Sequence, residues 1–274
     1  MILAFSGWND AGEAATGALE HLLGAWHDDS MQIVPVLIAD LEPEDFYDFQ
    51  VNRPQVTIDE FGNREITWPN TQVFGVALPH LDFDLVIVKG IEPSMRWKTF
   101  THRLLDLADD LEVSLLICVG SLLADIPHSR PITVNVSGAG SEISTRFKIS
   151  PSAYEGPTGI LGAIIDGSLK RGIDALSLWA PVPHYASSSP SPKASLALIH
   201  ALEDFLGINV PQDELASAAD AWEAEINELA EQDGDVADYV KALEESKDAV
   251  DIPEISGDMI AKEFERYLRR RSKD

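Results

Sequence analysis

The sequence has one cysteine, Cys118, among 274 residues, which excludes an intrachain disulfide and a paired-cysteine metal or redox site. Cys118 lies in the apolar run Leu115–Val119, so we expect it to be a small buried side chain. No apolar run reaches the roughly 20 residues that a membrane-spanning helix needs. No Lys or Arg precedes Arg53, which argues against a signal peptide. We therefore expect a cytoplasmic protein, in which the Asn135–Ser137 sequon has no meaning.

Basic residues are also scarce. The chain has 20 Lys and Arg against 46 Asp and Glu, a formal net charge of -26. Residues 201–274 supply 8 of the basic and 21 of the acidic residues, or -13 of this charge. Such a surface repels nucleic acid and anionic lipid, so we expect neither a nucleic acid nor a membrane as a partner. The acidity is more often a source of solubility than an acidic docking surface, and both interpretations stay open.

Complete catalytic and cofactor-binding motifs are missing. There is no His-Glu-x-x-His and no His/Cys cluster, so we predict no metal site and no cofactor. The segment Gly7–Gly12 has the glycine spacing of a phosphate-binding loop, but Glu13 and Ala14 stand where Lys and Ser/Thr are required. No Gly-x-Ser-x-Gly surrounds Ser121, which argues against a hydrolase of that type.

The first 25 residues predict the start of a βαβ unit. The apolar run Ile2–Phe5 is long enough for a buried strand and too short for a helix. Turn-forming residues follow at 6–10, and from Ala11 the apolar residues recur at the spacing of one helix face. Asn9 or Asp10 is expected to cap this helix. Binding sites in open α/β sheets form at the carboxyl ends of the strands, so the Gly7–Gly12 turn is the first candidate for function.

The alternation of strands and helices continues along the chain. Further strands are predicted at 32–38, 73–77, 84–88, 113–119, 132–136 and 173–180, and helices at 95–109, 160–171 and 192–206. Thr158 and Ser191 are the expected N-caps of the last two helices. We predict an α/β fold with a mostly parallel central sheet between two layers of helices. The strands that end at Phe5, Val88, Val119 and Ala180 should finish along one rim of this sheet.

Two segments interrupt or follow the α/β pattern. Residues 41–70 are polar and acidic, with aromatic residues in Phe46–Phe49 and a candidate β-hairpin around Gly62. We expect this insertion to stand off the main sheet and to provide a self-association surface. The α/β/α domain should span residues 1–208, and an acidic helical segment residues 209–274, with a last helix from about Gly257.

Polar residues near the predicted strand ends form a candidate pocket, which consists of Asn9, Asp10, Ser121, Asp125, His128, His184 and Tyr185. If the strand ends converge, Asp10, Ser121 and His184 could form a Ser/His/Asp-like set. The commoner outcome is that His184 packs beside Tyr185 and has a structural role.

Four motifs together resemble the proteasome assembly chaperone 2 family, specifically its actinobacterial type. They are Gly-Trp-Asn-Asp-Ala-Gly at 7–12, Gly-Ser-Leu at 120–122, Gly-Pro-Thr-Gly-Ile-Leu-Gly at 156–162 and Pro-Val-Pro-His-Tyr at 181–185. Pro-Ser-Pro-Lys-Ala at 190–194 and the segment 256–271 are similar too. The resemblance covers nearly the whole chain.

The resemblance implies a three-layer α/β/α fold like that of nucleoside phosphorylases, and self-association into dimers or larger rings. It assigns no catalytic residue. Some archaeal members dock to the proteasome through a hydrophobic-Tyr-x carboxyl terminus, whereas this sequence ends Arg271-Ser272-Lys273-Asp274. Members of this type have a short leader before the first strand, so an earlier start than Met1 is also expected.

Two functions follow as expectations. The first is a non-catalytic protein of the assembly-chaperone type that binds copies of itself, for instance as a trimer, and a further protein partner of unknown identity. The alternative is an enzyme or small-ligand-binding protein that uses the loops at the carboxyl ends of the strands, which rests on analogy of fold.

Overall fold

A seven-stranded sheet forms the centre of the protein, as seen in a computed structural model that describes residues 1–25, 33–140, 143 and 148–251. The strands are β1 Ile2–Ser6, β2 Val36–Leu41, β3 Gln55–Ile58, β4 Arg64–Thr67, β5 Thr71–Val76, β6 Leu85–Ile91, β7 Leu115–Ala124, β8 Asn135–Ala139 and β9 Asp174–Pro183. The helices are α1 Ala14–Ala25, α2 Trp97–Asp110, α3 Ile160–Lys170, α4 Pro192–Leu206, α5 Asp213–Gln232 and α6 Gly234–Asp251.

The strand order is β2-β5-β6-β1-β7-β9-β8, with β3 and β4 in a separate hairpin. Strands β6, β1, β7 and β9 are parallel neighbours, whereas β5 and β8 run antiparallel to the strands beside them. Phe5 lies opposite Gly90 and Ser121 opposite Ala180, so the parallel strands end on the same rim. The mostly parallel sheet and its shared rim are confirmed.

The alternation of side chains along β1 explains the two helical layers. Ile2 and Ala4 belong to a core shared with α1 and α4, whereas Leu3 and Phe5 belong to a core shared with α2 and α3. Successive residues point to opposite faces of a strand, so a fully apolar run is buried on both sides. The predicted α/β/α layering is therefore confirmed. Cys118 is fully buried, and burial raises the pKa of its thiol to about 12.

Two strands are longer than predicted at the rim where the parallel strands end. Strand β7 continues through Gly120 to Ala124, and β9 continues through Pro181 to Pro183, in an unbroken parallel ladder. Gly120, the predicted boundary of this strand, lies inside it and accommodates Trp179, because a Cβ atom there would lie 2.7 Å from Cζ3 of that indole. Ser121 is thus part of β7, and the prediction that it follows the strand is wrong.

The segment 41–70 contributes to the core as well as to the surface. Phe46 is fully buried with its ring edge-on to Phe100 at 5.2 Å, and the Tyr47 hydroxyl lies 2.6 Å from Oγ1 of Thr71. The prediction that the whole insertion stands off the sheet is wrong for these two aromatics, because Phe46 packs against α2 and the Tyr47 hydroxyl reaches β5. The β3–β4 hairpin is confirmed, and its side chains are exposed.

The helices after residue 208 pack back onto the α/β layers. Ala219 and Trp222 of α5 are buried, and α6 follows α5 after a short connection. The predicted helix from about Gly257, with its basic end, lies outside the described residues, and the domain boundary at 208 stays a prediction. In the part of the chain that the structure describes, no helix combines the length and apolar character needed to cross a membrane.

Candidate functional site

The carboxylate of Asp10 caps α1. Its Oδ1 accepts hydrogen bonds from the backbone amides of Ala15 at 2.7 Å and Thr16 at 3.2 Å, and the Thr16 hydroxyl donates to Oδ2. These amides have no partner inside the helix, which is why a carboxylate is favourable there. Burial raises the pKa of Asp10, and the hydrogen bonds from Thr16 and Ala15 oppose that rise. The capping interpretation is confirmed for Asp10.

Ser121 fastens the Gly7–Gly12 turn to β7. Its amide donates to the carbonyl oxygen of Asn9 at 2.9 Å, and its hydroxyl donates to the carbonyl oxygen of Ala11 at 2.9 Å. The hydroxyl also lies 3.4 Å from Oδ1 of Asp10. Ser121 has no exposed surface, so these contacts describe a structural hydroxyl inside the fold.

Asn9 is held by Glu92, which follows β6. Asn9 Nδ2 donates to Oε1 of Glu92 at 2.7 Å, and the amide of Ile160 donates to the same oxygen at 2.8 Å. Glu92 therefore caps α3 from a distant part of the chain, and the prediction that Thr158 caps this helix is wrong. Gly159 is required at this junction, because a Cβ atom there would lie 2.1 Å from Oδ1 of Asn9.

Asp125 and His184 form a second group, which Tyr239 of α6 contacts. His184 Nε2 lies 3.1 Å from Oδ1 of Asp125, and the Tyr239 hydroxyl donates to the same oxygen at 2.9 Å. The rings of His184 and Tyr239 are stacked, with centroids 5.7 Å apart. Sequence reasoning missed Tyr239, since nothing local to α6 indicates that it reaches the end of β9.

The buried His128 forms a network with the half-buried Tyr185 and with Asn227 on the surface of α5. Tyr185 Oη accepts from the backbone amide of His128 at 2.8 Å and lies 2.8 Å from Nδ1 of the same residue. Nε2 of His128 lies 3.1 Å from Oδ1 of Asn227. These contacts fit a neutral imidazole, in which Nδ1 accepts from Tyr185 and Nε2 donates to Asn227. Burial lowers the pKa of His128, against the raising effect of Asn227, and burial raises the pKa of Tyr185 to about 12.

Ion pairs fasten the acidic helices to this region. Arg130 forms two hydrogen bonds of 2.8 Å with the carboxylate of Asp248 and a further one of 3.2 Å with Glu244. Lys193 at the start of α4 pairs with Glu223 of α5. Some of the acidic side chains after residue 208 are therefore used within the chain.

The structure brings Asp10 and Ser121 together and places His184 in the other group. Ser121 lies opposite Ala180, whereas His184 comes directly after Pro183, which lies opposite Ala124. Three residues along a strand correspond to about 10 Å, so His184 is well beyond reach of the Ser121 hydroxyl. In the described part of the chain, no group of three or more His, Cys, Asp or Glu side chains is arranged to hold a metal ion.

A cavity of about 990 Å³ opens beside the turn that contains Asn9 and Asp10. It lies against one face of β8 and β9 and next to α3. Of the residues predicted to form the candidate pocket, Asn9 is among the described residues that line this cavity. The lining comprises Gly7, Trp8, Asn9, Ala11, Gly12, Leu122, Leu123, Asn135, Val136, Ser137, Gly138, Ala139, Ser152, Tyr154, Pro157, Thr158, Gly159, Leu161, Gly162, Ile165, Ala175, Ser177, Trp179 and Ser187.

The fold and its strand-end turns define a three-layer α/β protein, and comparison identifies its family. A model of the PAC2 family matches residues 4–230, so the chain belongs to the PAC2 family. No curated protein matches the chain.

Solved structures agree with this assignment. The chain is 45% identical to a PAC2 family protein from Streptomyces avermitilis, with a TM-score of 0.78, covering 88% of this chain and 98% of that one. It is 41% identical to a proteasome-assembly chaperone homologue from Mycobacterium tuberculosis, with a TM-score of 0.75, covering 87% and 98%. An archaeal proteasome activator from Pyrococcus furiosus is 18% identical with a TM-score of 0.64, covering 83% and 91%, and shares the fold.

Proposed function

We propose that this protein works as an assembly-chaperone-like binding protein, which associates with copies of itself and with a further protein partner. The observation that carries this proposal is a set of exposed apolar side chains on the edge strand β2 and on the hairpin that follows it in the chain. We call this surface the hairpin edge, and it consists of β2 together with the β3–β4 hairpin. The family assignment supports the same role, because a relative 41% identical to this chain is a proteasome-assembly chaperone homologue.

The hairpin edge exposes large apolar side chains on both of its elements. Strand β2 has its one neighbour in β5 within the described sheet, and it exposes Val36, Leu37 and Ile38. The hairpin adds Val56, Ile58, Phe61, Ile66 and Trp68, and Phe61 is 81% exposed. Soluble monomers rarely leave such apolar residues grouped at the surface, and an uncovered edge strand offers free backbone donors and acceptors.

The chemistry of the surface suits a protein partner better than a nucleic acid or a lipid headgroup. The net charge of -26 opposes polyanions over the whole molecule. Aromatic and aliphatic side chains surrounded by polar residues are typical of protein interfaces. We propose subunits of a proteasome core particle as the first partners to test, since the relatives point to this class.

Catalysis by Asp10, Ser121 and His184 has less support. The hydroxyl of Ser121 is buried and donates to a backbone carbonyl, and Asp10 is used in capping α1. The imidazole of His184 is engaged with Asp125 and Tyr239. A substrate would have to displace all of these contacts before reaching the three groups together.

Light scattering on the purified full chain, over a range of concentrations, tests the proposal. We expect a mass that is a multiple of the chain mass, and a shift towards the single chain in a variant with Ile58→Ser and Phe61→Ser. Leu229→Ser is the matched control, because this leucine is 54% exposed on α5, away from the hairpin edge. Co-elution with purified proteasome core subunits tests the partner class. A single-chain mass at every concentration, together with no co-elution, would overturn the proposal.

A further inference from the structure

The cavity beside β8 and β9 has an unusual lining for this chain. About one residue in four of the sequence is charged, and most of the charges are negative. None of the described residues that line the cavity is charged, and the large ones are aromatic or aliphatic. Trp8, Leu123 and Tyr154 are 64%, 51% and 67% exposed, so apolar groups are left in contact with solvent at its mouth.

Small side chains on β8 and β9 leave space for the cavity. Ala175, Ser177 and Trp179 alternate along β9 and therefore share one face of the sheet, as Asn135, Ser137 and Ala139 do along β8. The alanine and serine side chains among them extend only a short way from the sheet, which forms the floor of the cavity. Trp179 is fixed above this floor, because its Nε1 donates to Oγ of Ser177 at 2.7 Å and its ring lies against Gly120.

Polar groups that are free to bind a ligand are few and neutral. Within the described part of the chain, the side chains of Asn135 and Ser137 form no hydrogen bond, although both line the cavity. An amide and a hydroxyl offer donors and acceptors to a ligand without favouring either charge. Small-molecule sites typically occupy about 300–1,000 Å³ and combine a mostly apolar wall with a few polar groups.

We propose that this cavity is a binding site for a neutral, largely apolar small molecule with a ring system, which would stack on Trp8 or Trp179 and bond to Asn135 or Ser137. A charged ligand would lose its hydration without gaining an opposite charge in return, so the lining selects against it. The site is separate from the hairpin edge, and the proposal does not depend on self-association.

Binding of two fluorescent probes to the full chain tests this proposal. N-phenyl-1-naphthylamine is neutral, and 1-anilinonaphthalene-8-sulfonate has the same rings with an added sulfonate. We expect saturable binding of the neutral probe at one site per chain, with energy transfer from tryptophan, and weaker binding of the sulfonate. Ser137→Asp should weaken binding of the neutral probe by about tenfold or more, because it places a carboxylate in the cavity.

Matched variants keep the outcome decisive. Ser246→Asp makes the same change on an exposed position of α6 and should leave binding unchanged. Asn135→Asp is nearly isosteric and serves if Ser137→Asp fails to fold; it too should weaken binding. Wild-type protein without saturable binding overturns the proposal. So does unchanged binding in both cavity variants, or loss of binding in the Ile58→Ser and Phe61→Ser variant, which would assign the probe to the hairpin edge.

Discussion

The amide of Ser191 donates a hydrogen bond of 2.7 Å to the carbonyl oxygen of Gly12, and a Cβ atom on Gly12 would lie 2.8 Å from Cβ of Ser191. This contact joins the first turn of the chain to the start of α4. Gly12 also has a φ of 59°, a left-handed conformation that glycine adopts without strain. Two of the motifs that identify the family, at 7–12 and 190–194, are thus packed against each other.

Replacing Gly12 by Ala should therefore lower the free energy of unfolding by about 2–4 kcal/mol, since the new methyl group adds steric overlap to backbone strain. Chemical denaturation measures this loss. Gly207→Ala is the control for strain alone, because its φ is 66° and nothing lies within 4 Å of the added Cβ. We expect about 1 kcal/mol there. Equal losses in the two variants would show that the contact with Ser191 is easily relieved.

Removal of the Glu92 carboxylate should loosen the junction between Asn9 and α3. Glu92→Ala leaves Asn9 Nδ2 and the amide of Ile160 without their acceptor, so we expect a loss of about 1–3 kcal/mol in the free energy of unfolding. Glu92→Gln keeps an oxygen at the same place and should lose less. Glu60→Ala, on the exposed hairpin, is the control and should change little. A loss for Glu92→Ala no greater than that control contradicts the capping role.

Acid should destabilise the protein through His128. Its pKa is lowered from 6.5 in the folded state, chiefly by burial, so the unfolded chain takes up this proton first as the pH falls. The contribution of the neutral imidazole is complete above pH 6.5 and is lost as the pH falls through the lower folded pKa. Chemical denaturation at about pH 7.5 and at about pH 5.5 measures the difference in the free energy of unfolding, which we expect to be smaller at the lower pH.

The variant Asn227→Asp isolates this effect. A carboxylate facing Nε2 of His128 would favour the imidazolium, alongside the existing influences of Glu223 and Glu244 and against that of Lys193. We expect the free energy of unfolding to fall less on acidification in this variant than in the wild type. If the free energy of unfolding falls as much as in the wild type, or more, another titrating group is responsible for the acid sensitivity.

Arg130 should hold α6 in place. In Arg130→Ala the bidentate contact with Asp248 and the bond to Glu244 disappear, so backbone amides of α6 should exchange with solvent faster than in the wild type. Added salt should reduce the difference, because screening weakens the pair in the wild type. Lys170→Ala removes an exposed pair with Asp166 on α3 and is the control. Equal exchange of α6 in all three proteins would exclude an anchoring role for Arg130.

The sequence was most informative where a pattern was local. The apolar run at 2–5, the helix face from Ala11 and the hairpin around Gly62 depend on neighbours in the chain, and the structure confirms each. Strand ends were less predictable. Gly120 and Pro181 are ordinary stop signals, yet both lie inside strands. Gly120 makes room for Trp179, and Pro181 continues a strand that is already paired to β7.

The candidate site depended on contacts between distant parts of the chain. Asp10 could be predicted as a cap because its position before α1 is a local signal. Glu92 caps α3 from 68 positions away in the chain, and Tyr239 contacts His184 from 55 positions away. The cavity had no local signature either, since small residues on β8 and β9 create it only after the two strands pair.

The two prolines at the end of β9 also limit growth of the sheet. Strand β8 stops pairing with β9 opposite Trp179, and the next residues of β9 include Pro181 and Pro183, which have no backbone N–H. Pro181 and Pro183 are themselves buried, and Ile126, Pro131 and Thr133 line the same small cavity as Pro181, so the chain's own segment lies beside this stretch. With no amide on the two prolines and its flank occupied by the same chain, this part of β9 is a poor place for another copy to add a strand.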